Sequence, residues 1–242
     1  METNKNQRKI KIISEIHPQH MGSINEAKRM ILQSKLGGAD FVKVQLYESK
    51  LLFNNKDRKY LELSKKDFFH LNEYSKQIGI NLFASIFDAE KINWCEEAGI
   101  NFYKIASRTV LDIELCKKII ALKKEVFISL GMHENLDELP FKGDNITYFY
   151  CVSKYPTQLT DLKMPDFDKS KIKGYSDHTI GIAACLHAAS RGVLYIEKHF
   201  SCNKSLNVDT QQAHVCSMDY DDLSTLRKNV DSITLIRQNF NE

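Results

Sequence analysis

Short runs of Val, Ile, Phe and Tyr recur along this chain, separated by longer segments with the apolar spacing of helices. The runs at Lys9–Glu15, Asp40–Gln45, Asn81–Ser85, Asn101–Ile105, Glu125–Ser129, Ile146–Cys151, Lys171–Tyr175 and Leu194–Lys198 read as eight strands. Helices are expected over Asn25–Leu36, Lys66–Gln77, from the cap at Asp88 to near Gly99, over Val110–Leu122, over Ile180–Ala189 and over Tyr220–Phe240. Several of them stop at or near glycine, as helices often do. Strands alternating with helices predict an α/β fold, a (β/α)8 TIM barrel in one domain spanning residues 1–242. Two connections are thin. Between strands five and six only Glu134–Leu139 could turn into a helix, and Leu162–Lys169 contains Pro165. The barrel is therefore expected to be irregular around strands five to seven. An open doubly wound sheet is the alternative, but it would usually carry a Gly-rich phosphate loop after strand one, and the sequence has none there.

Composition changes this picture little. A length of 242 residues suits one barrel, and a net charge of +3 with basic and acidic residues interspersed gives no case for nucleic acid. No apolar run approaches the roughly 20 residues of a membrane span, and the polar start carries no signal peptide. The six cysteines show no metal-ligand spacing and several lie in apolar runs. These features predict a reduced, cytoplasmic, soluble protein.

In such a barrel, chemistry collects where strands pass into the following loops. Those positions hold Glu15, His17 and His20, Lys43 and Gln45, Ser85, Lys104 and Ser107, Ser129, Ser153 and Tyr155, Ser176 and His178, and Lys198 and His199. Lysines and serines from several strands suit a phosphate and a carboxylate. A glutamate beside them can take a proton or steer a water. His178 and His199, ending neighbouring strands, are placed to share one divalent metal; otherwise they are two unrelated histidines satisfied by backbone groups. Each serine alone could instead be a helix cap. Lysine inside a packed strand is costly unless it faces the barrel mouth, which singles out Lys43 and Lys104.

Seven segments, in order, resemble the N-acetylneuraminate (sialic acid) synthase family. They are Glu15 with Gln19-His20-Met21-Gly22, Lys43-Val44-Gln45, Tyr103 to Ser107, Ser129 to Met132, Cys151 to Pro156, Tyr175 to Thr179 and Ile196 to Phe200. The resemblance implies a barrel that condenses phosphoenolpyruvate with an amino-sugar aldehyde. The products would be a sialic-acid-like 2-keto-3-deoxy sugar acid and phosphate. By similarity, His178 and His199 would hold a divalent metal, Mn2+ or Mg2+. Lys43, Ser85, Lys104, Ser107, Ser129, Ser153 and Ser176 would bind phosphoenolpyruvate, with Glu15, Lys43 and Lys104 catalytic. Gln45, Tyr155 and Asp209 would face the sugar.

The chain also departs from that family. The 242 residues cover the barrel without the small antifreeze-like domain that usually follows. The swapped dimer which that domain supports is therefore not implied, and a homodimer stays open. Arg108-Thr109 stands where Gly-Glu is usual, so a sugar-contacting carboxylate is missing. Arg108 either replaces an arginine of the absent domain or favours a substrate with a negative group. Ala84-Ser85-Ile86-Phe87, a short loop after strand two and Leu206-Asn207-Val208-Asp209 are further changes, all on the sugar side. The leading expectation is a synthase of this class with a different aldehyde. The alternatives are a non-catalytic or partner-dependent barrel that binds a sugar or phosphorylated ligand, and another metal-dependent aldolase or isomerase.

Overall fold

The computed structural model describes residues 9–205 and 214–240. Eight strands alternate with helices in chain order: β1 Lys11–Glu15, α1 Ile24–Leu36, β2 Phe41–Leu46, α2 Ser49–Phe53, α3 Lys65–Ile78, β3 Asn81–Ile86, α4 Ala89–Glu97 and β4 Phe102–Ile105. There follow α5 Ile113–Ala121, β5 Glu125–Ser129, β6 Ile146–Cys151, β7 Ile172–Asp177, α6 Ala183–Ser190, β8 Tyr195–His199 and α7 Tyr220–Phe240. Local chemistry starts the helices. Side chains of Ser23, Ser64, Asp88 and Asp112 each accept a backbone N–H three residues on, at the heads of α1, α3, α4 and α5.

All eight strands are parallel, and β1 pairs with both β2 and β8, so the sheet closes. Side chains alternate between interior and exterior along each strand. That period of two decides the site. At the amino-terminal end the inward residues are aromatic: Phe41, Phe83, Phe102, Phe127, Phe149 and Tyr195 come from six strands, with ring centroids 4.9 to 6.5 Å apart in successive contacts. They fill the barrel from below. Two residues further along the same strands stand Lys43, Ser85, Lys104, Ser129, Cys151 and Glu197, so the interior changes from apolar to polar in one step. The outward positions, such as Val42, Val44 and Ile196, are buried against the helices.

The expected irregularity between β5 and β7 is present. Glu134–Leu139 does not form a helix, because Pro140 removes a donor and the side chain of Asn135 turns the backbone at Asp137. Leu162–Lys169 is likewise irregular, with a turn at its end, and the pairing of β6 with β7 shifts between Tyr148 and Phe149. Two further differences from expectation are local. The helix read as Val110–Leu122 is split into a tight turn at Thr109–Leu111 and α5, because Asp112 caps a fresh helix start. The segment after β2, read as a loop, contains the short helix α2. Among the described residues no helix is long and apolar enough to cross a membrane, and all six cysteines are free thiols.

Candidate active site

The carboxyl ends of the strands open into a cavity of about 360 Å3. Its floor is a charged quartet directly above the aromatic layer. Lys43 Nζ lies 2.6 Å from Glu15 Oε2 and 3.3 Å from Glu197 Oε1, and Lys104 Nζ lies 3.0 Å from Glu197 Oε2. All four side chains are almost fully buried. Removing such charges from water is tolerable only when they face each other. Lys104 also rests over the Phe149 ring, 4.0 Å from its centroid. Lys104 Nζ and Glu197 Oε2 are close but poorly aligned, and neither atom has a well-aligned hydrogen-bond partner among the described residues. Ser129 Oγ, also on the cavity wall, is likewise buried without a partner.

The two carboxylates are not equivalent. Burial, together with the nearby Glu197 charge, raises the pKa of Glu15 despite the Lys43 ammonium beside it. Burial would raise Glu197 too, but Lys104 and Lys43 together hold it at about 2. Glu15 is therefore the more readily protonated of the two, while Glu197 is a fixed anion, further tied by Ser176 Oγ donating at 3.1 Å. The lysines diverge as well. Burial works against the charge on both, but Glu15 and Glu197 outweigh it and raise Lys43, whereas Glu197 alone leaves Lys104 lowered.

His178 and His199 face the same cavity from β7 and β8, with ring centroids 5.6 Å apart. The Val152 carbonyl lies 2.8 Å from His178 Nδ1, and the Gln19 amide meets His199 Nδ1 at 3.1 Å. Where Nδ1–H donates, from His178 to the Val152 carbonyl and from His199 to Gln19 Oε1 at 3.3 Å, Nε2 keeps the lone pair, the arrangement typical of ligating histidines. Burial and the neighbouring His178 push His199 well below its ordinary pKa, which favours its neutral, ligating form. Burial opposes charge on His178, but Cys151 and the Val152 carbonyl raise its pKa, so a cation here would have to displace that proton. Among the described residues no group of three or more His, Cys, Asp and Glu side chains is arranged to hold an ion. The pair fits a divalent cation that completes its shell with water or substrate oxygens.

Of the residues expected at the site, Glu15, Lys43, Gln45, Lys104, Ser107, Arg108, Ser129, Ser153, Tyr155, Ser176, His178 and His199 all line this one cavity. Tyr155 lies at the rim, its ring centroid 4.1 Å from that of His178. Two placements differ from expectation. Ser85 faces inward but is not among the residues lining the cavity; it accepts a 3.0 Å hydrogen bond from Lys43 and so helps to hold that lysine. Lys198 points outward, since its neighbours Glu197 and His199 point in, and donates to Asp177 at 2.7 Å beneath α6. Asp209 lies outside the described residues. Among the lining residues not anticipated as site residues are Glu197, Tyr47, Phe53 and Arg58. Alternation along β8 from Tyr195 to His199 marks Glu197 as inward, whereas nothing in the pattern marks Arg58, which follows α2 in an irregular segment.

The profile of the NeuB family matches residues 30–241. The chain is 30% identical over 234 residues to the N,N'-diacetyllegionaminic acid synthase of Campylobacter jejuni, a match covering 83% of this chain and 70% of that protein. It is also 30% identical over 228 residues to the pseudaminic acid synthase of Helicobacter pylori, covering 81% of this chain and 67% of that one. Among solved structures, the N-acetylneuraminic acid synthetase of Leptospira borgpetersenii serovar Hardjo-bovis, crystallised with citrate, superposes with a TM-score of 0.86 at 29% identity. That superposition covers 94% of this chain and 85% of the other.

Proposed function

The chain belongs to the NeuB family, and from that premise we propose that it condenses phosphoenolpyruvate with an amino-sugar aldehyde to give a sialic-acid-like 2-keto-3-deoxy acid and phosphate. One observation supports the reading above the others. Two imidazoles with free Nε2 atoms and a buried Lys–Glu quartet face each other across a single cavity. Cations at the floor suit the anionic donor, and a metal pair beside it suits a carbonyl oxygen.

Lys43 and Lys104, with hydroxyls from Ser107, Ser129, Ser153 and Ser176, hold the carboxylate and phosphate of phosphoenolpyruvate in this scheme. The orphaned Ser129 hydroxyl and the poorly aligned Lys104 ammonium are then satisfied by ligand oxygens. A divalent ion, Mn2+ or Mg2+, held by His178 and His199 would polarise the aldehyde oxygen and make its carbon electrophilic. Carbon 3 of phosphoenolpyruvate attacks that carbon with its C=C π pair, forming the new C–C bond and leaving cationic character at carbon 2, while the carbonyl π pair passes to the aldehyde oxygen, which takes a proton from water to become the product hydroxyl. Water adds to carbon 2 and gives its proton to Glu15, whose burial makes it the more basic carboxylate. The resulting tetrahedral centre expels phosphate with cleavage of the C–O bond. Glu197 keeps both lysines in place throughout, and Gln45 and Tyr155 face the sugar.

Release of phosphate from phosphoenolpyruvate, followed with Mn2+ across a panel of amino-sugar aldehydes, tests the proposal. Release is expected to need one acceptor and both imidazoles, so His178→Ala and His199→Ala each abolish it. Binding of phosphoenolpyruvate with no release for any acceptor would overturn the catalytic reading in favour of a ligand-binding barrel.

A further inference from the structure

The rim of the cavity is charged differently from its floor. Two carboxylates and two ammonium groups pair with one another below, which leaves the floor balanced before any ligand enters. Above them two guanidinium groups line the same cavity. Arg108 follows β4, Arg58 follows α2, and they meet at one ring: the Phe53 centroid lies 4.8 Å from Arg58 Cζ and 5.2 Å from Arg108 Cζ. Neither is paired with a carboxylate among the described residues, although most other buried or half-buried cations of this chain are.

A guanidinium stacked on an aromatic face has its orientation fixed while its N–H edge stays free to donate. Sharing one ring keeps the two guanidinium groups within about 10 Å of each other, and with no paired carboxylate both favour an oxyanion at this end of the cavity. Burial separates this pair from the lysines. Lys43 and Lys104 are almost wholly enclosed, whereas Arg58 is half-buried and Arg108 exposed, so an anion between the arginines sits at the outer end of a ligand whose reacting end is inside.

We propose that Arg58, Phe53 and Arg108 form a subsite for a phosphate monoester on the acceptor, at the carbon remote from its aldehyde. The substrate class is thus a phosphorylated amino-sugar aldehyde, an assignment that rests on the condensation proposed above. Arg108 is one half of this clamp, and Arg58 is the half that the sequence pattern did not mark.

The test compares N-acetylmannosamine with its 6-phosphate as acceptors for the full chain, with Mn2+ and phosphoenolpyruvate. Binding of the 6-phosphate is measured alongside by calorimetry. The phosphorylated acceptor is expected to have the higher kcat/KM by roughly tenfold or more, the scale of a charge-assisted hydrogen bond. Arg58→Gln and Arg108→Gln should each collapse that preference by raising the KM and Kd for the 6-phosphate, with circular dichroism reporting intact folding. Turnover that shows no preference, or a loss in the variants that falls on the KM for phosphoenolpyruvate instead, would overturn the subsite and leave the condensation standing. Arginine-dependent binding of the 6-phosphate without turnover of any acceptor would support the subsite and overturn the condensation. Absence of such binding, with or without turnover, counts against the subsite.

Discussion

Glu15 and Glu197 carry the same group and share the ammonium of Lys43, yet their surroundings give them different work. Glu197 is gripped by two lysines and Ser176; Glu15 has one lysine, the backbone N–H of His17 and a long contact from Gln45 at 3.5 Å. If Glu15 is the base, Glu15→Gln should lower kcat about 10²- to 10⁴-fold while phosphoenolpyruvate still binds. Steady-state kinetics beside calorimetry separates the two effects, and an unchanged kcat would remove Glu15 from the chemistry. A second residue-scale prediction concerns His20, buried at the mouth, where its Nε2 and His17 Nδ1 are 2.9 Å apart and Gly22 N–H donates to its Nδ1. Burial lowers its pKa to about 4. The unfolded chain takes up this proton near pH 6.5 and the folded chain only near 4, so the native state binds fewer protons between those values. Stability is fully retained above 6.5, falls by up to about 1.4 kcal/mol per pH unit towards 4, and then levels off. Urea unfolding at pH 7 and pH 5 should show a smaller pH-dependent loss in His20→Gln than in the parent chain.

At the scale of elements, most of the barrel was legible. The last helix was read as Tyr220–Phe240 and is found there, and the strand read as Lys9–Glu15 is β1 at Lys11–Glu15. Strands in a parallel sheet are apolar runs bounded by glycines and polar turns, and that signal is strong. What stayed hidden was which face each polar residue takes. A strand-end reading puts Lys198 and His199 together at the mouth, but a period of two must send one of them out. The outward one has its own role. Asp177 at the end of β7 accepts from Lys198 on β8, and also from Tyr175 O–H, Thr179 N–H and the Cys185 thiol, while Lys198 donates as well to the Thr179 carbonyl. This buried network ties together the ends of the two strands that carry His178 and His199. Lys198→Met should cost about 3–5 kcal/mol in chemical denaturation, because it strands the Asp177 charge. Adding Asp177→Asn should recover part of that loss, and a purely additive double variant would show that the pair does not act as a unit. Arg58 was illegible for another reason: it lies in an irregular segment, where no periodicity relates sequence position to direction.

Across the whole molecule, the fold supports the site through its aromatic floor. Phe149 is the hinge of this relation, lying beneath Lys104 and packing against Phe127 and Tyr195. The ring has room because the adjoining strand offers no side chain: a Cβ on Gly174 would meet the Phe149 ring atoms at 2.5 Å. Gly174 pairs with Phe149 in the β6–β7 ladder, just where the register shifts. The glycine therefore serves space rather than backbone freedom. Gly174→Ala must push Phe149 off its position, an overpacking that should cost about 1–3 kcal/mol in urea. It should also weaken phosphoenolpyruvate binding, since Lys104 rests on the displaced ring. Phe149→Leu alone opens space and loses contacts. In the double variant the added methyl enters that space, so its cost should be well below the sum of the single changes. Additive losses in the double-mutant cycle would mean that Gly174 and Phe149 are not coupled, and that the floor of the site is set by some other contact.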